Sequence, residues 1–152
     1  AMSADTMFSS YFGVPRDTFK RQPTTVVMTC AAGCGNALRD TVEANPGRPV
    51  WVQGDLTIDT GVNIGSAAQP ALIIATGNIN ITAPTARVFG IIYSQAATWN
   101  STGSGTVQGA LLAESSLTGT SAPALIFDAD IVNQVRLTYG PIIRVPGGWS
   151  NF

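Results

Sequence analysis

The stretch ALIIATGNINITA, residues 71–83, holds two β-forming runs around Thr76-Gly77-Asn78. Gly-Asn between apolar runs is the ordinary signal of a two-residue hairpin, which would make the sheet antiparallel. The same residues suit a corner at which the chain leaves one sheet and enters another, because Gly and Asn accept φ > 0 at little cost. Repetition separates the two readings. VWVQGDLTI, residues 50–58, lies over IIATGNINI, residues 73–81, at an offset of about 23, which sets Gly54-Asp55 where Gly77-Asn78 fall. A third copy, from Ile91 to Trp99, follows after about 18 residues and has Gln95-Ala96 at the corner. A fourth, from Val107, echoes Val88 after about 19. A tight hairpin turn tolerates Gln-Ala poorly, whereas a corner accepts it.

Four degenerate copies at this period point to a solenoid, in which one turn of chain cannot bury its apolar face alone and stacks on the next. The expected fold is mainly β: a short right-handed parallel β-solenoid over residues 49–127, preceded by a helical N-terminal cap over residues 1–48. Residues 128–152 supply a C-terminal capping helix and a tail, all within one domain. Ile73, Ile79, Ile81, Ile91, Leu111 and Leu117 are expected inside, and Thr57 and Asn80 outside. A β-sandwich with several hairpins is the alternative that the same alternation allows.

The flanks carry helix signals rather than strand signals. Ser3 or Asp5 caps a segment presenting Met7, Phe8, Tyr11 and Phe12, and Gly13 ends it. Prolines bound PRDTFKRQP, residues 15–23, and hold it to about two helical turns. Asn36 opens NALRDTVEA, residues 36–44, with Leu38 and Val42 on one face, and Asn45-Pro46-Gly47 stops it. In DADIVNQVRLTYG, residues 128–140, Asp128 or Asp130 is the cap and Gly140 the stop. Helices at both ends are expected to cover the open ends of the solenoid.

Composition narrows the function. Charged residues make up 11% of the 152 and the net charge is -1, less than half the ~25% charged residues of ordinary soluble domains. Lys20 is the single lysine and the seven arginines are scattered, so no basic stripe exists to neutralise a phosphate backbone. Nucleic acid is not an expected partner. No apolar run approaches the ~20 residues that span a bilayer. The chain opens Ala-Met before an ordinary polar segment, which reads as an appended start, so an anchor or export signal is expected upstream.

There is no histidine, which removes Ser-His-Asp and Cys-His catalysis and histidine metal sites. Asp55, Asp59, Glu114, Asp128 and Asp130 are the carboxylates to weigh for sugar-bond chemistry, which needs two acids facing across the bond. Asp55 reads better as the corner counterpart of Asn78, and Asp128 with Asp130 as helix caps rather than, with Asn133, calcium ligands. The glycine-rich TGSGT, residues 102–106, lacks the lysine and helix of a phosphate-binding loop. Asn80-Ile81-Thr82 and Asn100-Ser101-Thr102 match the glycosylation triplet, which also arises by chance in Asn- and Thr-rich chains. No catalytic, cofactor or metal site is expected. Cys30 and Cys34 in TCAAGCG suit a small disulfide loop in an oxidising compartment, with two buried thiols as the alternative. Trp51, Tyr93, Trp99 and Trp149 are either packing residues or contact residues; Trp99, beside the NSTGSG loop, and Trp149, in the tail, are the candidate partner contacts.

The order of these features resembles the soluble part of the PilX-type type IV pilus assembly proteins, the minor pilins. The resemblance rests on MFSSYFG, CGNAL after Cys30, WVQGDLTI, LIIATGNINI, VFGIIYSQ with Trp99, VQGALLAES and the closing RVPGGWSNF, and so spans nearly the whole chain. Many minor pilins carry a compact α/β head, whereas this chain reads as a solenoid. The resemblance implies an exported, non-enzymatic pilus component at the cell surface, held in the inner membrane before assembly by an N-terminal helix. Its partners would be other minor pilins and a tip adhesin. The rival expectations are a glycan-binding adhesin module and a self-assembling solenoid scaffold.

Overall fold

The structure, a computed structural model, describes residues 16–30, 33–81, 83, 85–94, 99–101, 106–113 and 124–139. A short helix α1 (Arg16–Lys20) leads into strand β1 (Val26–Thr29) and then helix α2 (Gly35–Ala44). Eight strands follow in pairs of unequal length: β2 (Val50–Gln53), β3 (Leu56–Ile58), β4 (Asn63–Ile64), β5 (Ala71–Ala75), β6 (Ile79–Ile81), β7 (Arg87–Ser94), β8 (Trp99–Ser101) and β9 (Thr106–Ala113). Strand β10 (Ala124–Phe127) runs into helix α3 (Ala129–Tyr139).

The protein is mainly β, and every strand pair among the described residues is parallel. The larger sheet has the order β1-β2-β5-β7-β9-β10, with β4 also pairing to β7, and the smaller has the order β3-β6-β8. The chain passes from one sheet to the other and back. Strands β5 and β6, the two halves of ALIIATGNINITA, therefore lie in different sheets, and Thr76-Gly77-Asn78 is a corner rather than a hairpin. A parallel pair needs a long connection between its strands, which is why β2 and β5 are separated by the whole of β3 and β4.

The registers follow the internal repeat. Val50 pairs with Ile73 and Leu56 with Ile79, and Val88 pairs with Val107. The third copy departs by one residue in the larger sheet, where Ile73 sits opposite Ile92 rather than Ile91, and by two in the smaller, where Ile79 sits opposite Trp99 rather than Ala97. A slip of one residue exchanges the two faces of a strand. Ile92 accordingly points into the space between the sheets, while Ile91, expected inside, lies on the outer face of the larger sheet.

Two apolar clusters result. The inner one draws from both sheets, with Val50, Val52, Ile73 and Ile92 on one side and Leu56, Ile58, Ile79 and Ile81 on the other. Helix α2 packs against β3 and β4 and inserts Leu38, fully buried, into the same cluster, with Val42 partly buried beside it. The outer cluster joins Trp51, Leu72, Ile74, Ile91, Tyr93 and Ala110 of the larger sheet to Phe19 of α1 and to Val132 and Val135 of α3. Helix α3 thus lies on the face of the sheet, packing on β5, β7 and β9, and not across its end as the sequence suggests. The N-terminal region also departs from the helical expectation, because Val26–Thr29 forms strand β1 and pairs with β2. Four β-branched or unbranched apolar and Thr residues in a row, VVMT, carry enough strand preference once an adjacent strand supplies hydrogen bonds. Of the other residues expected inside, the side chain of Leu111 and the whole of Leu117 lie outside the described residues.

Two glycines let the strands of the larger sheet close on one another. Gly90 has φ 141° and Gly109 φ 137°, and they occupy paired positions in β7 and β9. A Cβ at Gly90 would overlap the carbonyl oxygen of Ala71, and one at Gly109 would overlap that of Gly90. Gly90→Ala should therefore lower stability by about 3 kcal/mol or more. Gly54→Ala, strained at φ 94° but with its nearest obstacle 3.9 Å away, should cost about 1–2 kcal/mol. Urea unfolding of the two variants beside the parent chain measures the difference, and equal losses would contradict the close approach at Gly90.

Candidate functional site

The corners between the sheets are built from stacked polar groups. At the corner after β2, the Gly54 N–H donates to Thr76 Oγ1 at 2.8 Å, and the Asn78 N–H donates to Asp55 Oδ1 at 2.8 Å. The Gly77 N–H donates to the Gly54 carbonyl at 2.9 Å, and Ser94 Oγ, in the next strand of the larger sheet, donates to the Gly77 carbonyl at 3.2 Å. Asp55 thus stands over Asn78 in register and serves the backbone. Its proposed partner for sugar chemistry, Glu114, lies outside the described residues.

Cys30 and Cys34 form a disulfide. The bond joins the end of β1 to the start of α2, and the Cys34 N–H donates to the Thr57 carbonyl of β3 at 2.9 Å. The Cys34 sulfur rests 3.2 Å from the same oxygen; a disulfide sulfur has no hydrogen, so this is a contact and not a hydrogen bond. Flanking Cys34, Gly33 and Gly35 approach Asp59 and Thr60 so closely that a Cβ at either would overlap those side chains. Disulfide, backbone bond and close glycines together pin the start of α2 to β3 and the turn after it. Closing so short a loop restricts the unfolded chain by about 2 kcal/mol. Replacing both cysteines by serine should lower stability by that amount, measured by chemical unfolding, and dithiothreitol should shift the parent chain but leave the double variant unchanged.

Asp128 is the N-cap of α3. Its Oδ1 accepts from the N–H groups of Asp130 at 3.0 Å and Ile131 at 3.2 Å, while Oδ2 accepts from Gln108 Nε2 of β9 at 3.0 Å. The Gln108 amide, then the Ile131 and Asp130 N–H groups, favour the carboxylate and hold it below the ordinary Asp range, against an opposing effect of burial. A carboxyl group depressed in the folded chain adds stability that is present above its unfolded value of ~3.9 and lost as pH falls through the folded value. Asp128→Ala should cost about 1 kcal/mol near neutral pH. Thermal melts of the two chains should converge as the pH drops below 4, roughly the unfolded value; a constant gap would show that the charge is not what Asp128 contributes.

The aromatic candidates divide. Trp51 and Tyr93 are buried in the outer cluster, 6.4 Å separating the rings of Trp51 and Phe19, and so form no exposed platform. Trp99 lies in β8 opposite Ile79, with its side chain outside the described residues, as is all of Trp149. Among the described residues no three His, Cys, Asp or Glu side chains gather as a metal-binding group.

A recess without a sequence signature lies where three separate segments meet. It has a volume of about 480 Å³ and is formed by the C-terminal end of α2 with Val42 and Glu43, the Pro46-Gly47 stop, the loop from Gly65 to Pro70, and Gln134 of α3. Its polar side chains include Glu43, Gln69 and Gln134, and among the described residues no lysine or arginine lines it. Three segments far apart in sequence, none carrying a motif, leave no pattern from which such a recess is read. Neither a family model, a curated protein nor a solved structure matches the chain.

Proposed function

We propose that this chain is the soluble part of a PilX-type minor pilin, a non-enzymatic, exported component of a type IV pilus that works by protein–protein recognition. Within that reading the two parallel sheets are the walls of one short right-handed β-solenoid. Alternation of the chain between the sheets, the matched registers at residues 50–58 and 73–81, and a single inner cluster drawing on both sheets support the solenoid.

The observation that carries the export half of the reading is the Cys30–Cys34 disulfide, which belongs to chains that mature in an oxidising compartment. The fate of Asp55 supports the non-enzymatic half, since its carboxylate oxygen is engaged by a backbone N–H of the adjoining corner. The pilus itself is supported by the sequence resemblance, above all the closing VPGGWSNF and the glycine-bounded strands.

Deleting the gene in its native host and counting surface pili by electron microscopy tests the proposal. Pilus number should fall sharply and return when the wild-type gene is restored. Full piliation in the deletion strain, with no change in pilus-dependent motility or adhesion, would remove the pilus reading.

A further inference from the structure

We propose that the recess between α2, the loop from Gly65 to Pro70 and α3 receives an arginine side chain presented by a partner protein. The inference rests on reading the chain as a protein-recognition module and does not depend on which assembly it joins.

Charge is the first argument. Glu43 is exposed, lines the recess, and makes no ion pair among the described residues, where the one salt bridge joins Arg39 to Asp40. The recess also lies at the C-terminal end of α2, where the helix carries partial negative charge. Arg39, the nearest arginine in sequence, pairs with Asp40, and Arg48, the next, is committed elsewhere. Its Nε donates to the Thr24 carbonyl at 3.0 Å, its Nη2 to the Pro23 carbonyl at 2.9 Å, and its Nη1 to Asn45 Oδ1 at 3.2 Å. A carboxylate beside a helix C-terminus, with no cation lining the wall among the described residues, repels phosphates and carboxylates and attracts a cation.

Hydrogen-bonding chemistry is the second argument. Gln69 of the loop and Gln134 of α3 add side-chain amides from two separate segments, so the recess offers acceptors besides the Glu43 carboxylate. A guanidinium presents five N–H donors in a plane and can meet several acceptors at once, whereas an ammonium is a compact point charge. Val42, Pro46 and Pro70 provide apolar wall for the methylene stem of such a side chain. Among the described residues no aromatic side chain lines the recess, so none of them offers a sugar ring a stacking surface there. A volume of about 480 Å³ lies within the ~300–1,000 Å³ of small-ligand sites.

The test is an amide NMR titration of the purified chain with Nα-acetylarginine amide, and with the neutral isostere Nα-acetylcitrulline amide. Arginine amide should shift signals from Val42 to Gly47, from Gly65 to Gln69 and at Gln134, and should bind about ten-fold more tightly than citrulline amide. Glu43→Gln, an exposed and near-isosteric change, should weaken binding about ten-fold. Gln134→Ala should weaken it several-fold, and raising salt from about 50 to about 500 mM should weaken it further. Equal binding of the citrulline probe, an unaffected Glu43→Gln variant, shifts dispersed away from the recess, or no shifts at all would overturn the assignment. So would a methyl glycoside shifting the same signals more strongly than arginine amide. Failure here removes the recess as a contact and leaves the pilus reading to its own deletion test.

Discussion

Strand β5 is buried on both faces, and the rest of the architecture answers that demand. All five of its residues are inaccessible: Ala71, Ile73 and Ala75 turn toward the smaller sheet, and Leu72 and Ile74 turn away from it. Burying each large aliphatic side chain is worth about 1.5–3 kcal/mol, provided that something covers it. On the inner side that cover is the smaller sheet together with Leu38 of α2; on the outer side it is α3 with Phe19 of α1. Parallel sheets are characteristically covered on both faces, and their strands read as continuous apolar runs. The run ALIIA is that signature, and a hairpin strand with one wet face would have alternated instead.

Much of this was legible in the sequence because the chain repeats itself. The overlay of residues 50–58 on residues 73–81 supplies the registers Val50 to Ile73 and Leu56 to Ile79 directly, and Val88 over Val107 supplies another. It failed at the third copy, where the corner has neither Gly nor Asn to anchor the alignment. The resulting one-residue error put Ile91 on the wrong face. Strand β1 was missed because its four residues sit among helix signals and have no repeat partner, so only the neighbouring β2 reveals them as a strand. The end-cap role expected for α3 fails for a related reason. Its Val132 and Val135 show that one face is apolar, but no spacing says which of two available surfaces that face will cover.

The carboxylates illustrate how fold and candidate chemistry compete for the same residues. A corner between stacked sheets leaves backbone N–H groups that the sheet ladders do not reach, and each needs an acceptor. Asp55 supplies one to Asn78, Thr76 supplies one to Gly54, and Asp128 supplies two at the start of α3. Their short side chains let these residues close such local bonds. Two of the acids weighed for sugar-bond chemistry, Asp55 and Asp128, thus have backbone partners in the fold. The sequence hinted at this, since Asp55 and Asn78 occupy equivalent corners and only one of them is acidic.

The placement of α3 also decides which surfaces remain for recognition. With the outer face of the larger sheet under helices, that face offers large exposed apolar side chains only near its two edges, Val27 on β1 and Ile126 on β10, at 43% and 47% exposure among the described residues. A strand added at either edge would most simply continue the existing polarity, which is parallel throughout. The smaller sheet offers a narrower, polar face, with half-buried Thr57 and Asn80 aligned in register and Asn100 next in the row. Neither surface carries a charge in those positions. The recess at Glu43 differs from both, being concave and acidic at once, and in a chain with so few charged residues a carboxylate with no ion pair among the described residues is a strong local feature. Charge selects a partner and fixes its orientation more than it adds affinity, so in the proposed recognition the neutral faces would supply area and the acidic recess the register.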